Sequence, residues 1–402
     1  MELEYRRPTE DEFRRTLTAG SAAFGVTLDD DEFGRATKTV TSDRTLAAYD
    51  DGRPVGLTTA LEFDLTIPGG SLSAGGVTWV GVLPTHRRRG ILRELMHRQL
   101  ADLHERGEPL AVLWASEAAI YGRFGYGIAA PGMSMEGDKS RFRYRDDPGP
   151  RAAARLVDAD EAFELFPPLY ERVRAEVPGT FGRSDVWWRE QRLADPESWR
   201  HGAGPKFFAA LELDGAVEGY AIYRIKDEWD NGFPRGEVRV LEAIATSSAA
   251  TRDVWRFLFN IDLTTKVKAW QLDPGSPLYL MVTDPRALHL GLADGLWLRF
   301  VDVGAALEAR SWATDDAVVI DLRDEICPWN AGRWRVGPDT GRTDDEPELA
   351  LDAADLAAAY LGALEFERLH AAERVEELRP GALARATALF RTPRPPYCPE
   401  VF

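Results

Sequence analysis

Val80-Gly81-Val82-Leu83-Pro84-Thr85-His86-Arg87-Arg88-Arg89-Gly90-Ile91-Leu92-Arg93 is the stretch on which the fold turns. The apolar run from Gly76 to Leu83 reads as a strand, and Pro84 ends it because proline brings no N–H to a ladder. Beyond the basic turn, Ile91, Leu92, Leu95, Met96, Leu100 and Leu103 recur with the spacing of one helix face, which Gly107 and Pro109 terminate. A strand that turns tightly into a helix gathers backbone N–H groups and the positive end of the helix dipole in one place. Arginines at the turn add charge-assisted hydrogen bonds to phosphate. The stretch therefore reads as a pyrophosphate cradle, set against the plainer reading of a solvated basic turn heading an amphipathic helix.

Outward from it, the first segment is mixed α/β. Phe13 to Phe24 has helical spacing, and the acidic Asp29-Asp30-Asp31-Glu32 reads as a solvated loop before it reads as a mouth for cations. Strand-like runs, Arg44 to Tyr49 and Val55 to Phe63, flank Asp51-Gly52, a hairpin signal because glycine supplies a positive φ. After the helix come a buried strand, Leu110 to Ala115, and a short helix opened by Ser116-Glu117 and carrying Tyr121. Residues 151–290 repeat that order: a hairpin about Asp214-Gly215, a strand from Glu237 to Ala245, a helix from Arg252 to Leu263 and a strand from Val267 to Leu272. The basic turn is missing there, replaced by Thr246-Ser247-Ser248-Ala249-Ala250, so one copy is expected to hold a ligand and the other to be scaffold. The last third differs in style. Strands are expected at Leu296 to Val303 and Ala317 to Leu322, and helices at Val303 to Arg310, from Asp352 to about Leu361, at Leu364 to Leu378 and at Ala382 to Phe390. A proline-stiffened tail, Thr392 to Tyr397, then runs to Phe402.

Composition narrows the function classes. The 402 residues carry 49 Lys and Arg against 66 Asp and Glu, a formal charge of −17 that disfavours phosphate-rich nucleic acid and suits cationic ligands. Residues 291–402 hold 12 basic and 21 acidic side chains, more than half of that charge. Two cysteines, Cys327 and Cys398, and six scattered histidines show no metal-ligand spacing, so no metal is expected. The charged start and the lack of a long apolar run give a cytoplasmic expectation without a membrane partner.

Arg87 to Leu92 resembles the Arg/Gln-x-x-Gly-x-Gly/Ala loop of GNAT-superfamily acetyltransferases, with Leu92 in place of the usual small residue. With Ala115-Ser-Glu-Ala-Ala-Ile-Tyr-Gly-Arg-Phe-Gly-Tyr-Gly127, the longer string resembles the enhanced intracellular survival (Eis) family, as do the chain length and the terminal phenylalanine. The resemblance implies an α/β (α+β) architecture: a catalytic GNAT domain over 1–147, a degenerate second GNAT domain over 148–290, and a sterol-carrier-protein-like α+β domain over 291–402. It implies an acetyl-CoA-dependent N-acetyltransferase of amines such as aminoglycosides, working by direct transfer and assembled as a homohexamer.

Carried onto this sequence, the family pattern implies backbone contacts to pantetheine from Val80, Gly81 and Val82. Arg88, Arg89, Gly90, Ile91, Leu92 and Arg93 would surround the pyrophosphate, with Ser116 and Glu117 on the other side of the co-substrate. The general acid falls on Tyr121, with Tyr126 the rival and a core aromatic the simpler account of Tyr126. A phenol of ordinary pKa near 10 stays protonated at neutral pH and can donate to a departing thiolate. The base is the C-terminal carboxylate of Phe402, threaded back to the site; a frayed end is the alternative. Val401 stands where family members carry an acidic residue, and Glu400 lies one position earlier. Thr78 and Trp79 serve as substrate wall or core, and Cys398 as a bystander. Two other activities remain in view: a carrier of apolar ligands with a vestigial fold, and an acetyltransferase of protein lysines.

Overall fold

β1 (Glu4–Arg6), β2 (Thr45–Asp50), β3 (Arg53–Ile67) and β4 (Gly70–Val82) run antiparallel in that order, and β5 (Leu110–Trp114) lies parallel to β4. The computed structural model describes residues 3–402. Helices α1 (Glu10–Ala23) and α2 (Asp30–Ala36) fall between β1 and β2, and α3 (Ile91–Glu105) joins β4 to β5. The row of Ile91, Leu95, Met96, Leu100 and Leu103 on α3 is buried, as its spacing predicts. Phe13 and Leu17 are the buried apolar side chains of α1.

The acidic stretch that reads as a loop is instead the start of α2. Asp29 accepts from the Glu32 N–H at 2.8 Å and Glu32 reaches back to the Asp29 N–H, a reciprocal cap, while Asp30, Asp31 and Glu32 complement the helix dipole. Charge density alone hides that cap.

The chain divides into two compact units. The first comprises residues 1–130, 295–395 and 400–402; the second comprises 131–294 and 396–399. In the first, strand Gly291–Phe300 pairs antiparallel with β5, from Leu296 opposite Trp114 to Phe300 opposite Leu110. In the second, strands Ala153–Val157, Phe207–Leu213, Ala216–Lys226 and Gly236–Ala245 run antiparallel in order, and Thr264–Leu272 lies parallel to the last of them. Strand Gly127–Asp138 then pairs antiparallel with Thr264–Leu272. The two ladders have the same sequence of parallel and antiparallel steps. Each is completed by the strand that follows the other repeat in the chain.

A separate five-stranded sheet in the first unit has the order Gly341–Arg342, Gly332–Val336, Val318–Arg323, Leu349–Asp352, Val375–Glu377. Every residue of helix Ala353–Tyr360 is buried, which its alanine-rich sequence permits at close range. The helix expected over Leu364 to Leu378 is shorter, Phe366–Ala371. Glu373 takes a left-handed φ of 61°, and Val375 to Glu377 pairs as a strand with Leu349 to Leu351. Apolar spacing over so short a stretch does not separate helix from strand.

Candidate active site

Ala74, Gly75 and Gly76 of β4 pair with Leu110, Ala111 and Val112 of β5, and there the parallel pairing ends. From Val77 to Val82, β4 stays paired with β3 alone, so the edge of Val80, Gly81 and Val82 turned toward β5 is open. Trp79 lies within the departing stretch. It takes φ 54° at a register shift between Leu57 and Thr59, a bulge that kinks the strand away from its neighbour. A bulky residue in that region costs about 1–3 kcal/mol, which the surrounding ladder must offset. An open strand edge inside a wedge suits an extended, amide-containing ligand, because it offers a row of main-chain donors and acceptors.

The open edge leads to the head of α3. Gly90 occupies its N-cap with φ 82°, a conformation glycine adopts without steric cost, and no side chain caps the helix. The first-turn N–H groups of Ile91, Leu92 and Arg93 are therefore left for an outside acceptor. In the second unit the matching helix, Ser248–Phe259, is capped by Ser247, whose hydroxyl accepts from the Ala250 N–H at 3.2 Å. One copy keeps an anion cradle and the other closes it with its own side chain.

The arginines divide by role. Arg87 donates to the carbonyls of Val82 at 3.4 Å and Ala23 at 3.2 Å, tying the turn to the end of α1. Arg89 lies 3.6 Å from Asp50, which His86 also meets at 3.1 Å. Arg88, with φ 65°, and Arg93 are exposed and form no ion pair among the described residues. These two are the cations best placed to meet a diphosphate. Asp50 as the anchor of the turn is not legible in sequence, since it reads only as a hairpin residue.

Tyr121 sits on the 3₁₀ turn Ala118–Phe124 that follows the exposed Ser116 and Glu117. Its ring is buried in one apolar cluster with Val77 of β4, Met96 of α3 and Leu113 of β5, and Val80, Leu92 and Ala115 pack against that cluster. The structure thus brings Tyr121 together with Val80 and Leu92 of the expected site. Burial, reinforced by the nearby Glu117 charge, pushes its phenol up to about 12. A hydroxyl held in that form is a proton donor at neutral pH. Tyr126 meets Tyr121 edge to face at 5.9 Å but is enclosed completely, and its hydroxyl has no hydrogen-bond partner among the described residues. Arg299 and Cys327 are the polar groups that face it, deeper in the core.

Phe402 packs edge to face on Phe63, with ring centroids 4.9 Å apart. Phe63 in turn lies over Gly76, where a Cβ would collide with its ring. Gly76 is the last residue of β4 paired with β5, so the chain's final side chain stands one ring away from the mouth of the wedge. Phe63 escapes sequence reasoning as a site residue, because an aromatic in an alternating strand reads simply as core. Cys398 is buried in the second unit, and among the described residues no cluster of side chains could hold a metal ion.

Family models of the acetyltransferase (GNAT) domain match residues 4–129 and 179–299, and one of the sterol carrier protein domain matches 303–399. An uncharacterized N-acetyltransferase of Streptomyces avermitilis is 42% identical over 94% of this chain and 95% of its own length. N-acetyltransferase Eis of Mycobacterium tuberculosis is 34% identical over 96% of both chains. Among solved structures, Eis1 from Mycobacterium abscessus aligns over 100% of both chains with a TM-score of 0.86 and 34% identity. A GCN5-related N-acetyltransferase from Anabaena variabilis shares the fold at 18% identity, with a TM-score of 0.84.

Proposed function

We propose, starting from the fact that this chain belongs to the Eis family of GNAT N-acetyltransferases, that it moves the acetyl group of acetyl-CoA to amines of cationic small molecules, aminoglycosides among them. One observation carries the reading: the wedge between β4 and β5 opens onto an uncapped helix N-terminus and has Tyr121 packed in the cluster at its heart. Those parts fit acetyl-CoA. Val80, Gly81 and Val82 offer main-chain partners to the pantetheine amides; Gly90, Ile91, Leu92 and the side chains of Arg88 and Arg93 receive the diphosphate; Ser116 and Glu117 border the far side. Arg89, shared with Asp50, completes the positive field around the turn.

Transfer forms a carbon–nitrogen bond and breaks a carbon–sulfur bond; counted from the acceptor's ammonium, two protons leave nitrogen, one reaches sulfur and one is released to solvent. Tyr121 supplies the sulfur's proton from its hydroxyl and regains one from solvent. The carboxylate of Phe402 holds the ammonium and takes up the proton whose loss frees the amine to attack, directly or through water, and the proton lost as the amide forms leaves by the same route. The chain's net charge of −17 favours the approach of a polycationic acceptor. A homohexamer is part of the proposal; large apolar side chains exposed on the second unit, Trp270, Leu280 and Leu292, support buried contacts between copies.

Incubation with acetyl-CoA and a panel of aminoglycosides, polyamines and lysine peptides, with free thiol followed over time, tests the reading. Thiol release that depends on the aminoglycoside is the expected result. No release with any cationic amine overturns it.

A further inference from the structure

The second unit repeats the ladder of the first, and its wedge is filled by the chain itself. Strands Gly236–Ala245 and Thr264–Leu272 stop pairing at Val240 opposite Ala269, just before a register shift that ends at Glu242. Beyond that point lies Tyr397, 7% exposed. Its hydroxyl donates to the carbonyl of Gln271, the last but one residue of the second strand, at 3.3 Å. Its backbone N–H donates to the Pro178 carbonyl at 2.9 Å. Gly179 follows with φ 93°, and a Cβ there would come within 3.0 Å of the Tyr397 carbonyl oxygen. Arg192 donates to the Pro399 carbonyl at 3.0 Å while also pairing with Glu242.

Glu242 makes this grip rigid. Arg183 donates to it through both terminal nitrogens and the Tyr220 hydroxyl donates at 2.5 Å, all of them buried. Burial alone would push the carboxyl up; Arg183 and Arg192 outweigh it and hold it ionised. One terminal nitrogen of Arg192 thus bridges the buried Glu242 carboxylate and the Pro399 carbonyl of the tail. Two of the contacts, to the Tyr397 N–H and the Pro399 carbonyl, are to main chain, and Pro395, Pro396 and Pro399 stiffen the backbone on either side of Tyr397-Cys398.

We propose that the second GNAT unit is a clamp for the C-terminal tail: its wedge, unused for acetyl-CoA, grips Tyr397 to Pro399 so that the chain end, three residues on, is delivered in a fixed pose. Tyr397 and Arg192 are positioning residues, not catalytic ones. The clamp's part in catalysis rests on the assignment of the Phe402 carboxylate made above.

Carboxypeptidase digestion of the native protein, followed by intact mass, reads the clamp without reference to activity. The unmodified tail should lose Phe402 slowly. Tyr397→Ala should speed that loss by about tenfold or more and lower kcat by a similar factor, with the acetyl-CoA KM held within about twofold. Tyr397→Phe, which keeps the ring in the wedge, should restore most of both properties. Arg192→Gln gives an independent loosening if Tyr397→Ala folds poorly. Equal trimming of all variants overturns the clamp, and unchanged kcat in a variant with a loosened tail overturns its positioning role. Full activity after removal of Phe402 alone overturns the carboxylate assignment instead.

Discussion

The ring of Phe402 stands edge to face on Phe63, centroids 4.9 Å apart and planes at 67°, so the last residue is packed side chain rather than frayed end. Edge-to-face pairs add about 0.5–1.5 kcal/mol beyond the area they bury. Phe63 is 6% exposed on β3 and covers Gly76, where β4 and β5 part. The Phe402 ring is thereby held beside the mouth of the wedge by packing.

Deleting Phe402, or adding residues after it, should lower kcat by at least about 100-fold while acetyl-CoA binding, measured by calorimetry, stays near its original value. Phe402→Leu keeps the carboxylate and part of the packing, and should retain most of the rate. An extended terminus with full turnover would remove the carboxylate from the mechanism.

Tyr121→Phe should cut kcat by about 100-fold or more with little change in acetyl-CoA affinity. The pH profile gives a sharper check. A general acid must be protonated, and burial raises the Tyr121 phenol to about 12, so the acid form persists to higher pH than for an ordinary tyrosine. The kcat of the unmodified enzyme should therefore show no fall attributable to this group up to about pH 10, the ordinary phenol value. A basic limb near pH 8 that disappears in Tyr121→Phe would keep the acid role and show instead that burial does not raise the phenol.

The strand, the turn and the helix from Gly76 to Leu103 are legible because three independent signals coincide there: a β run, a glycine at a positive-φ turn and a 3.6-residue apolar period. The duplicate ladder is legible from its hairpin glycines, and the loss of its cradle from the missing arginines. Other features depend on partners distant in sequence. Trp79 bulges because Leu57 and Thr59 skip a register, Phe63 meets a residue 339 positions later, and Tyr397 finds its pocket beside Pro178. No local pattern encodes such meetings. The acidic run at Asp29 shows the opposite failure, where a local cap is present and its charge reads as solvation.

Arg87 and Arg88 of the turn and Arg93 at the head of α3 should separate experimentally. Arg88→Ala and Arg93→Ala, whose side chains face solvent beside the open α3 terminus, should each weaken acetyl-CoA binding by about tenfold. That loss should shrink as salt screens the phosphate contacts. Arg87→Ala instead releases the Val82 and Ala23 carbonyls, so its main effect should be a lower melting temperature. Calorimetric titration and thermal unfolding of the three variants decide the matter. Equal loss of affinity in all three would mean that the turn acts as one undivided charge.

Asp355 supplies a pH test in the sterol-carrier-like region. It lies on the buried helix Ala353–Tyr360 and is 2% exposed. Desolvation, partly offset by Arg374, raises its carboxyl to about 6. In the unfolded chain the same group titrates near its ordinary value of about 3.9. Because the folded value is the higher one, folding favours the protonated acid: full stability is present below about pH 4, is lost as pH rises toward 6, and stays reduced above it. The gap between the folded and unfolded values corresponds to about 2–3 kcal/mol, most of which Asp355→Asn should recover at pH 8, since the amide keeps the shape without the charge. The variant should melt a few degrees above the unmodified protein at pH 8 and level with it at pH 4. A lower melting temperature for Asp355→Asn at pH 8 would show that the Asp355–Arg374 pair outweighs the cost of burying the carboxylate.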